Sequence, residues 1–237
     1  MAIRTYPRNN NEPNMIATYF IIEYLSVAVV AAVVLLCAGR MDWWPAWTFT
    51  AVMIVNQTVV GFALLRFQPD LMAERMHPPR SAKRWDRVLV SLLRLTQFAR
   101  YILAGLDLRY GWTHSFPLWL QIVGIAGCLL GYALFAWAMA SNSFFSQVVR
   151  IQTDRGHSVA AGGPYRFVRH PSYASMIVFE FAMSALLGSW WAVLAGAGCA
   201  AIFVLRTALE DRTLMVELPG YKEYAQKVKY RLISGVW

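Results

Sequence analysis

The polar chemistry of this chain is gathered in one stretch, GGPYRFVRHPSY, Gly162 to Tyr173, set among long apolar runs. A residue before proline is pushed out of the helical region, and proline is favoured at the first helical position. His170 is therefore expected to cap a helix begun by Pro171. Such a helix start favours anions through its free N–H groups and its dipole. Arg169 and His170 add positive charge, and Tyr173, three residues after His170, shares its face. Further along, Arg206 and Glu210 stand four apart and share a helix face of their own. The set offers an arginine for a carboxylate, a helix N-terminus for a second anion and a glutamate for a hydroxyl or ammonium group. It contains no Ser-His-Asp arrangement and no phosphate-binding glycine loop.

These residues must be positioned by membrane helices. Of 237 residues 58% are hydrophobic and 15% charged, which separates the chain from average soluble domains. The net charge of +9 would suit nucleic-acid binding if the cations lay on one amphipathic face, but they fall in the gaps between apolar runs. No nucleic-acid partner is expected. Six runs approach the roughly 20 residues that span a hydrocarbon core of about 30 Å. They are Met15 to Ala38, Trp43 to Leu65, Val88 to Leu106, Pro117 to Ala140, Pro171 to Leu187 and Ser189 to Leu205. The fold class expected is an all-α polytopic membrane protein of about six transmembrane helices with a C-terminal cytoplasmic helix. Lys and Arg in the successive tails and loops number 2, 1, 6, 1, 4, 0 and 6. That alternation places both termini in the cytoplasm, at the inner membrane if the source is bacterial.

The last two runs are separated only by Gly188 and are short, so they read as a tight hairpin, with one long broken helix as the alternative. Reflection about Gly188 and Ser189 sets position 171 opposite about 206. Arg206 and Glu210 then return to the level of His170 and Tyr173. On their own, Arg206 and Glu210 would be an ordinary i,i+4 pair ending a span; convergence on a proline-started helix favours a site. The organisation expected is a flexible tail over 1–14, four transmembrane helices over 15–140, and a site-bearing half over 141–237 with its hairpin and basic terminus.

Arg94 and Arg100 fall inside the third run and are expected to snorkel to the interface. Glu180, about nine residues into the fifth, must be protonated or paired. The segment Gln68 to Arg87, with a double proline and mixed charge, reads as an interfacial loop setting topology or gating substrate. Cys37, Cys128 and Cys199 have no paired spacing, and the four histidines no ligand spacing, so neither disulfides nor a metal are expected.

The run SNSFFSQVVRIQTDRGHSVAAGGPYRFVRHPSY, followed by RTALEDRTL and GYKEY, resembles the isoprenylcysteine carboxyl methyltransferase family, with phospholipid N-methyltransferases as cousins. The resemblance covers Ser141 to the C-terminus. It implies a polytopic enzyme that binds S-adenosylmethionine on the cytosolic side and takes a lipophilic or lipidated acceptor from the bilayer lipids. By the same resemblance His157, Ser158, Val159, Ala160, Tyr165, His170, Pro171, Ser172, Tyr173 and Glu210 would hold the cofactor. Arg206 would hold the acceptor's carboxylate as the catalytic residue. The chain departs from the family pattern at Arg150, where a glutamine is usual, at Ser175, where a glycine is usual, and in its acidic pair Glu210-Asp211.

Carboxyl O-methylation of an isoprenylcysteine-like acceptor is the activity implied, with phospholipid amine N-methylation or thiol S-methylation as alternatives. A sterol-type NADPH-dependent reductase shares a similar RxPxY element, but Ser172 stands where it would carry asparagine. A non-catalytic membrane protein is the remaining alternative, and the joint presence of Tyr165, His170, Tyr173, Arg206 and Glu210 speaks against it.

Overall fold

Continuous apolar sequence leaves the first helix hydrophobic on every side. In the first helix Tyr19, Val27 and Val34 are buried, while Ile21, Leu25, Val29 and Leu36 are exposed. A helix that is apolar all round belongs in a membrane or a large core. The computed structural model describes residues 12–67, 72 and 83–237. The helices are α1 (Glu12–Ala38), α2 (Trp44–Phe67), α3 (Arg84–Tyr110), α4 (Leu118–Ala140), α5 (Pro171–Leu186), α6 (Trp190–Glu217) and α7 (Tyr221–Lys227). Among the described residues there is no strand, in line with the all-α expectation. Most of the 1–14 tail and of the Gln68 to Arg87 segment lies outside the described residues.

All six apolar runs are helical. Five helices, α1 to α4 and α6, are long and apolar enough to cross a membrane. The fifth run, α5, has 16 residues and reaches about 24 Å, whereas α6 has 28 and reaches about 42 Å. The hairpin is present: α5 ends at Leu186, Gly188 turns the chain at φ +69°, and the Ser189 hydroxyl caps α6 by accepting from the Ala192 N–H at 3.0 Å. A positive φ is what glycine tolerates and other residues resist. The sixth run does not stop at Leu205, because the helix carries Arg206, Glu210 and Asp211 on for three more turns.

The α4–α5 contact is the most extensive in the bundle, followed by α3–α6 and α5–α6. It depends on a glycine stripe in α4. A Cβ at Gly124 would come within 2.6 Å of the Ala182 carbonyl and the Leu186 nitrogen, and one at Gly131 within 3.1 Å of the Ser175 carbonyl. The α5 backbone thus lies directly on α4, and Ser175 is fully buried, its hydroxyl donating to the Ser172 carbonyl at 2.7 Å.

Arg100 corrects a sequence expectation. It does not snorkel: its side chain is fully buried and pairs with the equally buried Glu180, which supplies the partner that the sequence left unnamed. Gln97 donates to the other Glu180 oxygen at 2.5 Å, and Arg100 Nη2 donates to the Tyr101 hydroxyl at 3.0 Å. Charges this deep persist only when paired and hydrogen-bonded. Arg94 is exposed.

Candidate active site

The helix predicted to start at Pro171 does so, and its first turn is anchored from three directions. His170 adopts φ −126° and ψ 62° outside the helix, and the Tyr173 N–H returns to the His170 carbonyl at 3.1 Å. Pro171 has no N–H and the Ser172 N–H finds no acceptor among the described residues, so one donor at this helix start is free. The C-terminal segment lies alongside: Arg169 and His170 each donate a backbone N–H, at 2.9 Å, to the carbonyls of Tyr230 and Arg231.

Behind the helix start sits Asp211, buried on α6. It accepts from Arg169 Nε at 2.8 Å and Nη2 at 3.0 Å, from Arg231 Nε at 2.8 Å and from the Tyr221 hydroxyl at 2.8 Å. His170 Nε2 lies 3.3 Å from both Asp211 Oδ1 and the Tyr221 oxygen. Four elements meet on one carboxylate, the arrangement that makes a buried charge tolerable.

The reflected hairpin geometry holds. Tyr173 stacks on His170 with ring centroids 5.9 Å apart, its hydroxyl donates to Glu210 in a short hydrogen bond, and the Arg206 guanidinium sits 5.2 Å from the Tyr173 ring centroid. Arg206 also has a partner on another helix. Its Nε and Nη2 donate to the two oxygens of Asp86, on α3, at 2.7 and 3.2 Å, and Nη2 reaches the Gln147 carbonyl at 2.7 Å. Asp86 accepts in addition from the Val149 N–H at 2.8 Å, so this ion pair fixes the loop after α4 as well.

That loop forms the facing wall. His157 stacks on Phe144 at 4.7 Å, and its Nδ1 accepts from the Gln152 N–H at 3.3 Å. Burial, then the nearby Arg150 and Arg155, hold its pKa below the usual imidazole value. Buried Gln152 ties the turn together, donating to the Phe144 carbonyl at 2.7 Å and accepting from Arg155 at 2.8 Å. Tyr165 is buried, with Asn142 donating to its hydroxyl at 3.3 Å and the Tyr224 hydroxyl donating to its carbonyl at 2.5 Å. Burial raises the Tyr165 pKa above the ordinary phenol value.

One cavity of about 730 Å³ joins these pieces. His157, Ser158, Val159, Ala160 and Tyr165 line it from the loop; His170, Ser172 and Tyr173 line it from the helix start; Arg206 and Glu210 line it from α6. Pro171 is buried in the first turn and is not among the lining residues. The cavity continues between the long helices past Glu23 of α1, Gln57 of α2, and Arg94 and Gln97 of α3. Asp86, Asp211 and Tyr221 were not picked out as site residues from the sequence. Asp86 is the lone acid in the basic run KRWDR, and Tyr221 belongs to the quoted GYKEY, so both were visible without their partners.

A helical membrane protein whose cavity joins a polar loop pocket at one end of the bundle to a cleft between its spans is the class defined by this fold and site. Residues 122–216 match the sequence profile of the isoprenylcysteine carboxyl methyltransferase (ICMT) family, which bears out the resemblance and supports a membrane methyltransferase. The match begins within α4, earlier than Ser141, and stops before GYKEY. A solved structure described as the eukaryotic intramembrane Ras methyltransferase ICMT, without a monobody, is similar in fold. Its TM-score is 0.53 at 17% identity, over 92% of this chain and 82% of that one. A search of curated proteins returns no match.

Proposed function

We propose that the protein is an S-adenosylmethionine-dependent methyltransferase that acts at the cytoplasmic membrane face on a lipophilic acceptor, by carboxyl O-methylation of an isoprenylcysteine-like molecule. The observation that carries this reading is the single cavity that joins the polar loop pocket to the cleft between the spans. A soluble donor and a bilayer-borne acceptor can meet there from opposite ends.

The donor set fits such a cofactor. Glu210 presents a carboxylate for its ammonium group, the Ser172 N–H is an unused donor at a helix start, and the 157–160 strip presents main chain and small side chains. When bound, the cofactor supplies a methyl group on a sulfonium, a good leaving group, so the protein's main task is alignment. A carboxylate nucleophile needs no general base. Arg206, held against Tyr173 by Asp86, orients the acceptor, and its Nη1 carries no hydrogen bond among the described residues. Because Nε and Nη2 are engaged by Asp86, its pull on the nucleophile is moderate, which leaves the carboxylate reactive.

The test is incubation of purified protein with methyl-labelled cofactor, N-acetyl-S-farnesylcysteine and a total lipid extract. Label in a base-labile ester is expected. Label in a choline-type headgroup or a volatile thioether would redirect the reading to an amine or thiol acceptor. Saturable NADPH binding without S-adenosylhomocysteine binding would replace it with a reductase.

A further inference from the structure

Most of the charged side chains that line the cavity are engaged. Arg206 is paired with Asp86, Arg169 with Asp211 and Glu180 with Arg100. Glu210 accepts from Tyr173 and Glu23 from Gln57. Arg94 differs: it lines the cavity, is exposed, and has no hydrogen bond or ion pair among the described residues. Its cavity-lining neighbours on α3 are the apolar Val90, Leu93 and Phe98 and the amide Gln97, whose side chain is taken up by Glu180.

An arginine among apolar helices attracts an anion, because an uncompensated cation at membrane depth is costly. Its place on the helix directs it toward the reaction site. Arg94 lies eight residues, about 12 Å, below Asp86 along α3. Helical side chains slope toward the N-terminus, which on α3 is the end where Asp86 meets Arg206. The Arg94 side chain is thus expected to slope toward the end of α3 at which Arg206 sits, whose own charge Asp86 already balances.

We propose that Arg94 selects the acceptor by pairing with its carboxylate, admitting the acid and releasing the ester. This deepens the function proposed above and rests on it. The acceptor's carboxylate oxygen gains the methyl group as the donor's methyl–sulfur bond breaks, with the electron pair left on sulfur. Carboxylate and sulfonium charges cancel, so the ester and thioether leave neutral. Arg94 then has no ionic partner, and the ester is held only by its apolar contacts.

Calorimetry in phosphatidylcholine nanodiscs, with S-adenosylhomocysteine present, compares N-acetyl-S-farnesylcysteine with its methyl ester. The protein should prefer the acid by roughly tenfold or more, the scale of one charge-assisted pair. Arg94→Gln should cut that preference by severalfold, to the part that Arg206 supplies, with the S-adenosylhomocysteine Kd unchanged, and Arg94→Lys should restore part of the loss. Equal binding of acid and ester by the unaltered protein, or a preference undiminished in Arg94→Gln, overturns the proposal. So does loss of the preference in discs containing phosphatidylglycerol, which would make Arg94 a snorkelling anchor for bilayer phosphate. If the protein prefers the acid through Arg94 yet forms no ester, carboxyl methylation fails while the role of Arg94 stands.

Discussion

Arg206 and Asp86 form a pair in which neither charge can be removed alone. Both are buried, so deleting one partner leaves the other uncompensated, at about 3–5 kcal/mol. Asp86→Asn should lower the unfolding midpoint in detergent, and Asp86→Leu with Arg206→Met should recover much of the loss while leaving the enzyme inactive. An inactive but fully stable Asp86→Asn would show that the pair matters to chemistry alone. His157 gives a second outcome. Its folded pKa is depressed, so the unfolded chain takes up the proton first as pH falls. The stability this confers is complete above about pH 6.5, the unperturbed value, and is lost as pH falls toward the folded pKa. His157→Gln should flatten the dependence of the unfolding midpoint on pH below about 6.5. Site residues near the Pro171 helix start were legible because proline, histidine, tyrosine, arginine and glutamate fall at fixed helical spacings. Asp86 was not, because its partner lies 120 residues away and only the α3–α6 packing joins them. Arg100 misled for the same reason: its depth suggested snorkelling, and nothing local revealed that Glu180 faces it.

At the scale of elements, the hairpin could be read from one glycine between two apolar runs, and its reflection brought Tyr173 level with Arg206 and Glu210. The length of α6 could not, since hydropathy ends where lipid ends while the helical hydrogen bonds continue into the polar turns that carry Glu210 and Asp211. The α4 glycine stripe was passed over because glycine is frequent in membrane helices for several reasons. Its role here is close approach, and that can be measured. Gly124→Ala places a methyl within 2.6 Å of α5 backbone, which cannot rotate away. The two helices must separate, and a loss of about 1–3 kcal/mol is expected from overpacking. Gly198→Ala is the matched control, since its methyl meets only the Thr96 side chain at 3.4 Å. That variant should be neutral or slightly stabilised by better helix propensity. Equal midpoints for the two variants would mean that the α4–α5 contact adapts.

At the scale of the whole molecule, the site joins two structures of different kinds. The bundle is held by apolar packing and buried pairs, whereas the start of α5 is held by a C-terminal strap outside the long helices. Arg169 Nη1 donates to the carbonyls of Val228 and Lys229 at 2.9 and 2.8 Å, and Arg231 completes the shell of Asp211. The backbones of Arg169 and His170 pair with Tyr230 and Arg231. None of the residues from 228 to 231 lines the cavity, yet together they fix the first turn from which Ser172 and Tyr173 face it. A variant lacking residues 228–237 should therefore keep its helical circular dichroism and elute as a monodisperse species, because the α3–α6 and α4–α5 contacts are untouched. Its affinity for S-adenosylhomocysteine should fall by tenfold or more, since several hydrogen bonds to charged groups, each about 1.5–3 kcal/mol, no longer order the helix start. Arg231→Ala alone removes one Asp211 contact that is partly open to solvent, so it should weaken binding less than the deletion. If the deletion binds as tightly as the full chain, the helix start is ordered by Asp211 and Tyr221 alone and the strap is dispensable. If it loses helicity as well, the strap supports the bundle rather than the site.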